Sequence, residues 1–282
     1  MWHIPVMANE VVENLPEKLE IMMDGTLGHW WHSKFILSKF ENLKLVWVDK
    51  DPIILSKAKE NLKDFENRIQ FVNASYKDLD KILWQNKVDA ILLDLWVNME
   101  HFKDPKRGFS IKYDGPLDMR FNPENSITAE WILKNYSQEN LEEILQKYGD
   151  FKWLLLKNIA SAIVKNKSSL KTTFDLKNLL KRIGLSEKKI AVVFQVLRIE
   201  TNNELWELEE FLEKFGDYIN SGWRCLIITY HSIEDRLVKN KFKQLHNNGF
   251  INLTKKVIFP SWEEIQKNKA SRSAKLRIIE KI

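Results

Sequence analysis

Short apolar runs bounded by turn-forming residues alternate with segments of helical spacing along the first part of the chain. Runs of this length predict buried strands, and strands that alternate with helices are typical of a parallel sheet covered on both faces. The predicted strands lie at 20–23, 44–48, 69–73, 88–94, 223–230, 251–259 and 274–280. One of the helices between them begins at Asp51-Pro52, a favourable start for a helix, and continues to about Asp64.

The rhythm changes after residue 103. Residues 125–220 have helical spacing with almost no strand character, which returns at 223–230. The simplest explanation is one α/β domain interrupted by a helical insertion. We therefore predict an α/β domain formed by residues 1–103 and 206–282, with an inserted helical domain at 104–205.

Composition narrows the class of protein. Hydrophobic residues make up 44% of the 282 residues, enough for a full core. No apolar run is as long as a membrane span, and the amino end lacks the features of a secretory signal. The single cysteine excludes an internal disulfide, and the six histidines show no metal-ligand spacing. We expect a cytoplasmic protein without a metal or a membrane partner, as a monomer or homodimer.

Positive charge is concentrated in two segments. The net charge is only +5, but residues 165–189 carry eight Lys or Arg against two acids, and 267–281 carry six against one. Such clusters suit a polyanion such as RNA. Solvated helix faces would explain the same pattern, and charge alone leaves the two interpretations even.

The loop at 24–33 is the first candidate site. It joins a predicted strand to a predicted helix and contains Gly25 and Gly28. A strand, a glycine-containing turn and a helix begin many nucleotide-binding α/β folds, and the backbone N–H groups at the helix start suit an anionic ligand. Trp30 and Trp31, however, stand where small residues are expected.

Two acids follow predicted strands. Asp49 ends the second strand, where nucleotide-binding folds have an acid that receives a ribose hydroxyl. The alternative for Asp49 is a helix cap before Asp51-Pro52. Asp94 ends the fourth strand, where its carboxylate could receive a hydrogen bond from a ligand amine or a nucleobase. The alternative for Asp94 is an ordinary turn residue.

Two later segments also carry polar chemistry. The loop at 107–120 mixes turn formers, aromatics and charges, and could frame a base-sized pocket or be an ordinary surface loop. In 230–236, His231 and Ser232 suggest a hydrolase, but no nucleophile elbow is present. Ser232 fits better as a helix N-cap before Asp235.

Taken together, these segments resemble one family, the bacterial 16S rRNA cytosine-N4 methyltransferases that act in the decoding centre. The resemblance runs nearly end to end, and the strings at 114–120 and 231–236 are its most specific parts. The matching segments are 3–6, 24–33, 49–52, 92–95, 107–110, 114–120, 148–149, 194–199, 230–236 and 272–277.

The resemblance implies a Rossmann-like, S-adenosylmethionine (AdoMet)-dependent methyltransferase fold, with the inserted helical domain recognising RNA. The implied partner is 16S rRNA or the small ribosomal subunit. The implied cofactor contacts are Trp30, Trp31, His32, Asp49, Tyr76, Asp94 and His101. His101 stands where the family usually has Gln, and Tyr76 could flank the adenine.

The chemistry that the resemblance implies is demanding, because the lone pair of the cytosine N4 amine is delocalised into the ring. The enzyme must align N4 with the methyl donor, stabilise developing charge and take the base out of its stack. We expect Asp94 or Asp118 to orient N4, with His231 as a further candidate. Candidate phosphate contacts are Arg107, Arg120, Arg198 and the basic carboxyl-terminal segment.

The tryptophans do not fit this pattern. The chain has 11 Trp and 9 Gly, and the family has glycine at Trp30, Trp31, Trp47, Trp96 and Trp223, with Trp206 as a sixth candidate. Three interpretations remain. The protein is an inactive relative that still binds RNA, or the loop has rearranged around another ligand, or UGA encodes glycine in the source and was translated as Trp. We favour the third, because the changes share one direction and lie in unrelated motifs.

Overall fold

The computed structural model describes residues 5–26, 30–84 and 86–282, with only the backbone of Ala270. The motifs at 3–6 and 24–33 therefore lie partly outside the described residues, as does His29. The chain divides into two compact units. We name residues 1–97 with 206–282 the sheet unit, and residues 98–205 the helical unit. The predicted boundaries were 103/104 and 205/206.

The described part of the sheet unit contains one seven-stranded sheet in the order β3-β2-β1-β4-β5-β7-β6. Its strands are β1 Ile21–Asp24, β2 Lys44–Asp49, β3 Ile69–Asn73, β4 Val88–Asp94, β5 Ile219–Thr229, β6 Phe250–Asn252 and β7 Lys275–Lys281. A strand is present at each of the seven predicted places, but the one predicted at 251–259 is only the three residues of β6. The parallel pairing that the sequence predicts is found from β1 to β5, but β7 runs antiparallel to β5 and to β6. The sheet is therefore mixed, and it confirms the predicted Rossmann-like methyltransferase fold.

Both faces of this sheet are buried. Met23 and Leu93 belong to one hydrophobic cluster, whereas Met22 and Leu92 belong to another. Successive strand residues point to opposite faces, so the two clusters lie on either side of the sheet. All seven residues of β4 are buried, which explains its continuous apolar pattern.

Helices of the sheet unit pack around this core. They are α1 Ala8–Glu13, α2 Trp31–Lys39, α3 Pro52–Asn61, α4 Leu79–Leu83, α11 Glu204–Lys214 (whose first two residues fall in the helical unit), α12 Ser232–Leu245 and α13 Trp262–Lys267. The predicted start of α3 is confirmed, because the Asp51 side chain accepts the Ile53 N–H at 2.8 Å and Pro52 occupies the first turn. The helix ends at Asn61 rather than Asp64, where a 3-10 turn replaces it.

The helical unit is built from α5 Met99–Lys103, α6 Ala129–Asn135, α7 Gln138–Gly149, α8 Trp153–Asn166, α9 Thr173–Arg182 and α10 Glu187–Asn202. Capping boxes begin two of them, with Ser137 before α7 and Thr172 before α9. No strand is assigned among the described residues of this unit, in keeping with its helical spacing. Its long loop at 108–128 carries the 114–120 motif.

Candidate functional site

Three acids lie together at the carboxyl edge of the sheet. Asp24 ends β1, Asp49 ends β2 and Asp94 ends β4, and these strands are direct neighbours. The three residues are nearly inaccessible, at 3%, 2% and 6% exposed. Ligands of open α/β sheets bind at this edge. The strand order thus brings together acids that are far apart in the sequence.

Asp49 has an oxygen available for a ligand. Its Oδ1 accepts the Asp51 N–H at 2.7 Å, whereas its buried Oδ2 has no hydrogen-bond partner among the described residues. Burial raises the pKa of Asp49 well above its usual value, and the charge of Asp51 adds to this. The cap of α3 is Asp51 itself. The helix-capping alternative for Asp49 therefore does not explain this acid.

Asp94 lies in a network of buried polar groups. Its Oδ1 accepts the Tyr230 hydroxyl at 2.8 Å and the Trp96 N–H at 3.3 Å, and its Oδ2 lies 3.4 Å from His32 Nδ1. Burial raises the pKa of Asp94, and the interactions with His32 and Tyr230 only partly oppose it. These contacts are more extensive than those of an ordinary turn residue.

Asp24 fixes the start of α2 against β1. Its two oxygens accept the Thr26 hydroxyl at 2.8 Å and the Ser33 hydroxyl at 2.5 Å. Gly25 follows it, and a Cβ at Gly25 would lie 2.7 Å from the Leu93 side chain. A residue larger than glycine at this position would therefore need the Leu93 side chain to shift.

The aromatic residues predicted to contact the cofactor occupy two environments. Tyr76 is buried and packs edge-on against Phe211, with ring centroids 5.8 Å apart. Trp30 and Trp31 are half-buried at the start of α2, with ring centroids 6.4 Å apart. Trp30 also packs on the hydrophobic cluster beside it. Two indoles thus stand at the helix start where the sequence predicts a ligand loop.

The other tryptophans that the resemblance places at glycine positions are accommodated in the sheet unit. Trp47 is fully buried in β2 against Phe71, and Trp96 packs on Tyr230 with ring centroids 4.6 Å apart. Trp223 is half-buried against the core. None of these residues, nor Trp30 or Trp31, has a positive φ. Backbone conformation therefore does not require glycine at these five positions.

Trp84 differs from these tryptophans in its backbone conformation, and the sequence did not identify it as an unusual position. It ends α4 with φ 46° and is 81% exposed. This left-handed conformation after a helix is where glycine is preferred. The only feature of the sequence that could have indicated this conformation is that Trp84 follows a short apolar helix.

The helical unit contains an aromatic cluster with an adjacent cavity. His101 is buried and stacks on Phe109, with ring centroids 5.0 Å apart, and Phe109 stacks in turn on Phe121. A cavity of about 460 Å³ lies beside it. Its lining includes residues 109–113, together with Phe102 and Phe194. The loop at 107–120 therefore lines a cavity, whereas base binding there and a cofactor role for His101 stay predictions.

Asp118 is held by Arg120. Arg120 Nε donates to Asp118 Oδ1 at 2.8 Å, and Nη2 donates to Oδ2 at 2.7 Å. Burial alone would raise the pKa of Asp118, but the hydrogen bonds and charge of Arg120 hold it below its usual value. A catalytic role for Asp118 stays a prediction, and in this arrangement both of its oxygens already have a donor.

Two further arginines that were predicted to contact phosphate, Arg107 and Arg198, form hydrogen bonds within the helical unit. Arg107 donates to the carbonyl oxygens of Arg120 and Phe121, each at 2.9 Å. Arg198 forms a two-pronged ion pair with Glu204. These arginines have hydrogen-bond partners within the protein itself, and phosphate binding by them stays a prediction.

His231 begins α12. Its Nδ1 lies 3.4 Å from the Glu234 N–H, its Nε2 lies 2.7 Å from Glu234 Oε1, and Glu234 reaches back to the His231 N–H. The N-cap is therefore His231, and the expectation that Ser232 caps this helix was wrong. The reason is that Ser232 already lies inside the helix. A catalytic role for His231 stays a prediction.

Within residues 5–26, 30–84 and 86–282, no group of three or more His, Cys, Asp or Glu side chains is arranged to hold a metal ion. No helix in the same ranges has both the length and the apolar character needed to cross a membrane.

The sheet and its edge agree with the comparison against known families. The model of the MraW methylase family matches residues 1–282, the whole chain. This chain belongs to the MraW methylase family. The Leptospira interrogans protein named ribosomal RNA small subunit methyltransferase H is 39% identical, over 99% of this chain and 89% of its own length. Proteins of that name from Sulfurihydrogenibium azorense and Thermotoga neapolitana are each 40% identical over 99% of this chain, and over 99% and 96% of their own lengths.

Membership of a methylase family confirms that the chain is a methyltransferase. It agrees with AdoMet as the methyl donor, which the resemblance implied. The Asp49 oxygen without a partner fits a ligand with hydroxyl donors at this edge. The roles of individual residues, and of the two units, stay predictions.

Proposed function

We propose that this protein methylates the exocyclic N4 of a cytosine in small-subunit rRNA, with AdoMet as the donor, in the cytoplasm. The observation that carries the proposal is the buried edge formed by Asp24, Asp49 and Asp94 in a chain of a methylase family. The rRNA substrate is supported by the names of the curated relatives. The cytosine N4 is supported by the motifs at 114–120 and 231–236.

The residues at the edge suggest how the donor would be held. Asp49 Oδ2 would accept ribose hydroxyls, and Tyr76 would flank the adenine. His32 and the start of α2 would lie along the rest of the ligand. When bound, AdoMet supplies an electrophilic methyl group.

Asp94 has the environment best suited to the N4 amine among the three candidate catalytic residues. It is buried, and its position is fixed by Tyr230 and His32. A preorganised acceptor in a place shielded from water stabilises the charge that develops on an amine. Asp118 is already occupied by Arg120, and His231 caps a helix.

The helical unit offers a site for RNA. Its 460 Å³ cavity lies in the size range of ligand pockets, and its aromatic walls suit a base that has left its stack. Lys103 and Lys112 are exposed among the lining residues and would meet phosphate. Replacing Tyr113, which is 53% exposed, by Ala should weaken RNA binding without unfolding the unit.

A second function is favoured by Trp30 and Trp31. Two half-buried indoles at the start of α2 are expected to narrow a cofactor site. In that case the protein would be an inactive relative that binds rRNA.

The decisive experiment measures AdoMet binding by calorimetry and transfer of labelled methyl groups to small-subunit rRNA. The chain as written is compared with a Trp30→Gly/Trp31→Gly variant, and methylated nucleosides are identified by mass spectrometry. We expect N4-methylcytidine from at least the glycine variant. Trp262→Gly is the matched control, since Trp262 also begins a helix but is 73% exposed.

Absence of AdoMet binding in both forms would contradict the proposal and favour the inactive relative. Binding with a different methylated product would contradict the cytosine N4 assignment. Peptide mass spectrometry of the native protein across residues 21–35 tests whether UGA codons for glycine were translated as Trp. Detection of Trp at positions 30 and 31 would exclude this interpretation for both positions.

A further inference from the structure

One helix of the sheet unit contacts both loops that carry the predicted adenosine contacts. In α11, Glu207 and Phe211 are four residues apart and therefore lie on the same face of the helix. Glu207 Oε2 accepts a hydrogen bond from Lys50 Nζ at 2.7 Å, in the loop after β2. Phe211 packs edge-on against Tyr76, in the loop after β3, with ring centroids 5.8 Å apart. The same helix face thus holds both loops.

The ion pair between Lys50 and Glu207 is largely shielded from water. The two side chains are 12% and 11% exposed. A shielded ammonium group that loses its acceptor is costly, so it moves toward water or toward another oxygen. Lys50 directly follows Asp49 in the chain, and such a movement would change the backbone that carries Asp49. Glu207 opposes this movement, because it accepts the Lys50 ammonium where it lies.

The turn at 49–51 determines where the Asp49 carboxyl points. Asp49 Oδ1 accepts the Asp51 N–H at 2.7 Å, and the Asp49 backbone oxygen accepts the Asn73 side-chain amide at 2.8 Å. Asp49 Oδ2, which has no partner among the described residues, is then the oxygen left for a ligand. The charge of Lys50 also opposes the rise in the pKa of Asp49 that burial causes. The cation that Glu207 holds therefore affects both the position and the charge of Asp49.

We propose that Glu207 is a positioning residue of the AdoMet site, which acts through Lys50 to hold the turn at 49–51 so that Asp49 Oδ2 faces the ribose hydroxyls. Phe211, one helical turn further along α11, holds the Tyr76 ring that would flank the adenine. The cofactor role of Glu207 rests on the proposed AdoMet contacts of Asp49 and Tyr76. Its effect on the turn does not.

The first measurement needs no ligand. Amide hydrogen exchange of the full chain, followed by nuclear magnetic resonance, reports on the Asp51 N–H that donates to Asp49 Oδ1. In Glu207→Gln, which keeps the volume and removes the charge, we expect this amide to exchange about tenfold faster than in wild type. The matched control is Glu280→Gln. It breaks the 2.8 Å ion pair with Arg224, between β5 and β7 near the amino end of β4, and should leave the Asp51 amide unchanged.

The second measurement is the Kd of AdoMet by calorimetry, in the chain as written and in the Trp30→Gly/Trp31→Gly background. Glu207→Gln should raise this Kd about tenfold, with kcat at saturating AdoMet unchanged. In a Lys50→Met background, Glu207→Gln should change the Kd by less than about twofold, because a residue that acts through Lys50 has no further effect once Lys50 is replaced. Glu280→Gln should leave the Kd unchanged.

Unchanged exchange of the Asp51 amide in Glu207→Gln would overturn the inference, as would an equal change in Glu280→Gln. Additive effects of Glu207→Gln and Lys50→Met on the Kd would also overturn it, since Glu207 would then act independently of Lys50. If Glu207→Gln fails to fold, the same faster exchange is expected in Lys50→Met, and its absence there would be equally decisive.

The outcomes also separate this inference from the proposed function. Faster exchange of the Asp51 amide in Glu207→Gln, without AdoMet binding by any form of the chain, would contradict the function alone. AdoMet binding and formation of N4-methylcytidine, with an Asp51 amide that Glu207→Gln leaves unchanged, would contradict this inference alone.

Discussion

Asp94 of the sheet unit and Asp118 of the helical unit are both acids of family motifs, yet their surroundings differ in kind. Asp94 is buried beside a histidine and a tyrosine, and burial raises its pKa. Asp118 is half-buried, and Arg120, which occupies both of its oxygens, outweighs burial and lowers its pKa. One arrangement keeps a costly buried carboxyl in place, as functional sites often do, and the other stabilises a loop.

The two units also differ in which residue occupies the positions where the backbone favours glycine. In the helical unit, Gly108 has φ 70° and Gly115 has the Pro105 carbonyl oxygen where a Cβ would stand, so both positions require glycine and have it. In the sheet unit, Trp84 has a left-handed backbone that favours glycine. Glycine thus stands where the backbone of the helical-unit loop requires it, whereas at position 84 the sheet unit has a bulky tryptophan where the backbone favours glycine.

The largest expected effect is a difference in methyl-transfer activity between the Asp94 and Asp118 variants. Asp94→Asn should reduce kcat/KM for methyl transfer by about 100-fold or more, because it removes a charge that orients the amine. Asp118→Asn should reduce it by less than about tenfold. Steady-state kinetics with small-subunit rRNA measures both. Near-normal rates in both variants would show that neither acid takes part in methyl transfer. A larger loss in Asp118→Asn than in Asp94→Asn would show that Asp118 is the more important acid.

The next effect concerns ligand binding at the sheet edge. Asp49→Asn should weaken AdoMet binding about tenfold, since an amide NH₂, which only donates, would replace one of the two carboxyl oxygens that can accept ribose hydroxyls. Calorimetry measures the Kd. Asp51→Asn is the matched control: Asn caps a helix as well as Asp does, so the Kd should stay unchanged. Equal affinities for wild type and Asp49→Asn would argue against ribose binding.

The pH dependence of stability should differ in sign between the two acids. The pKa of Asp118 is lowered in the folded protein, so its contribution, about 1 kcal/mol or less, is present above pH 4 or so and lost as the pH falls through the folded pKa. The pKa of Asp94 is raised, so its ionised form costs stability at neutral pH, and this cost disappears as the pH falls through the folded pKa.

Urea unfolding of wild type, Asp118→Asn and Asp94→Asn across pH 3 to 7 or so measures these contributions. At neutral pH, Asp118→Asn should be less stable than wild type and Asp94→Asn more stable, and both differences should shrink on acidification. The same sign for both variants would refute the contrast.

The smallest effect tests the glycine comparison. Trp84→Gly should raise the free energy of unfolding by about 1 kcal/mol, because it relieves a left-handed conformation at an exposed site. Trp153→Gly, at the exposed first residue of α8, should lower it by a few tenths to about 1 kcal/mol. Thermal and urea unfolding measure both. A loss of stability in Trp84→Gly would show that the indole itself contributes more than the backbone costs.

Periodicity was sufficient to predict the seven strands and the helical insertion, because buried parallel strands and amphipathic helices have distinct patterns. It did not predict that β7 runs antiparallel, since strand direction leaves no mark on hydrophobicity. Asp49 and Asp94 were found from their places after strands. The engagement of Arg107, Arg120 and Arg198 was not found, because their partners depend on how loops fold back.

The sequence by itself therefore determined the class of fold, the family and the acids at the carboxyl edge, since each depends on local pattern or on motif identity. Only the tertiary structure decided which oxygen of Asp49 has no partner, that His32 joins Val6 to Asp94, and that Trp84 has a left-handed backbone. The physical reason is that hydrogen-bond partners and burial are set by segments distant in sequence, which meet only when the sheet is assembled.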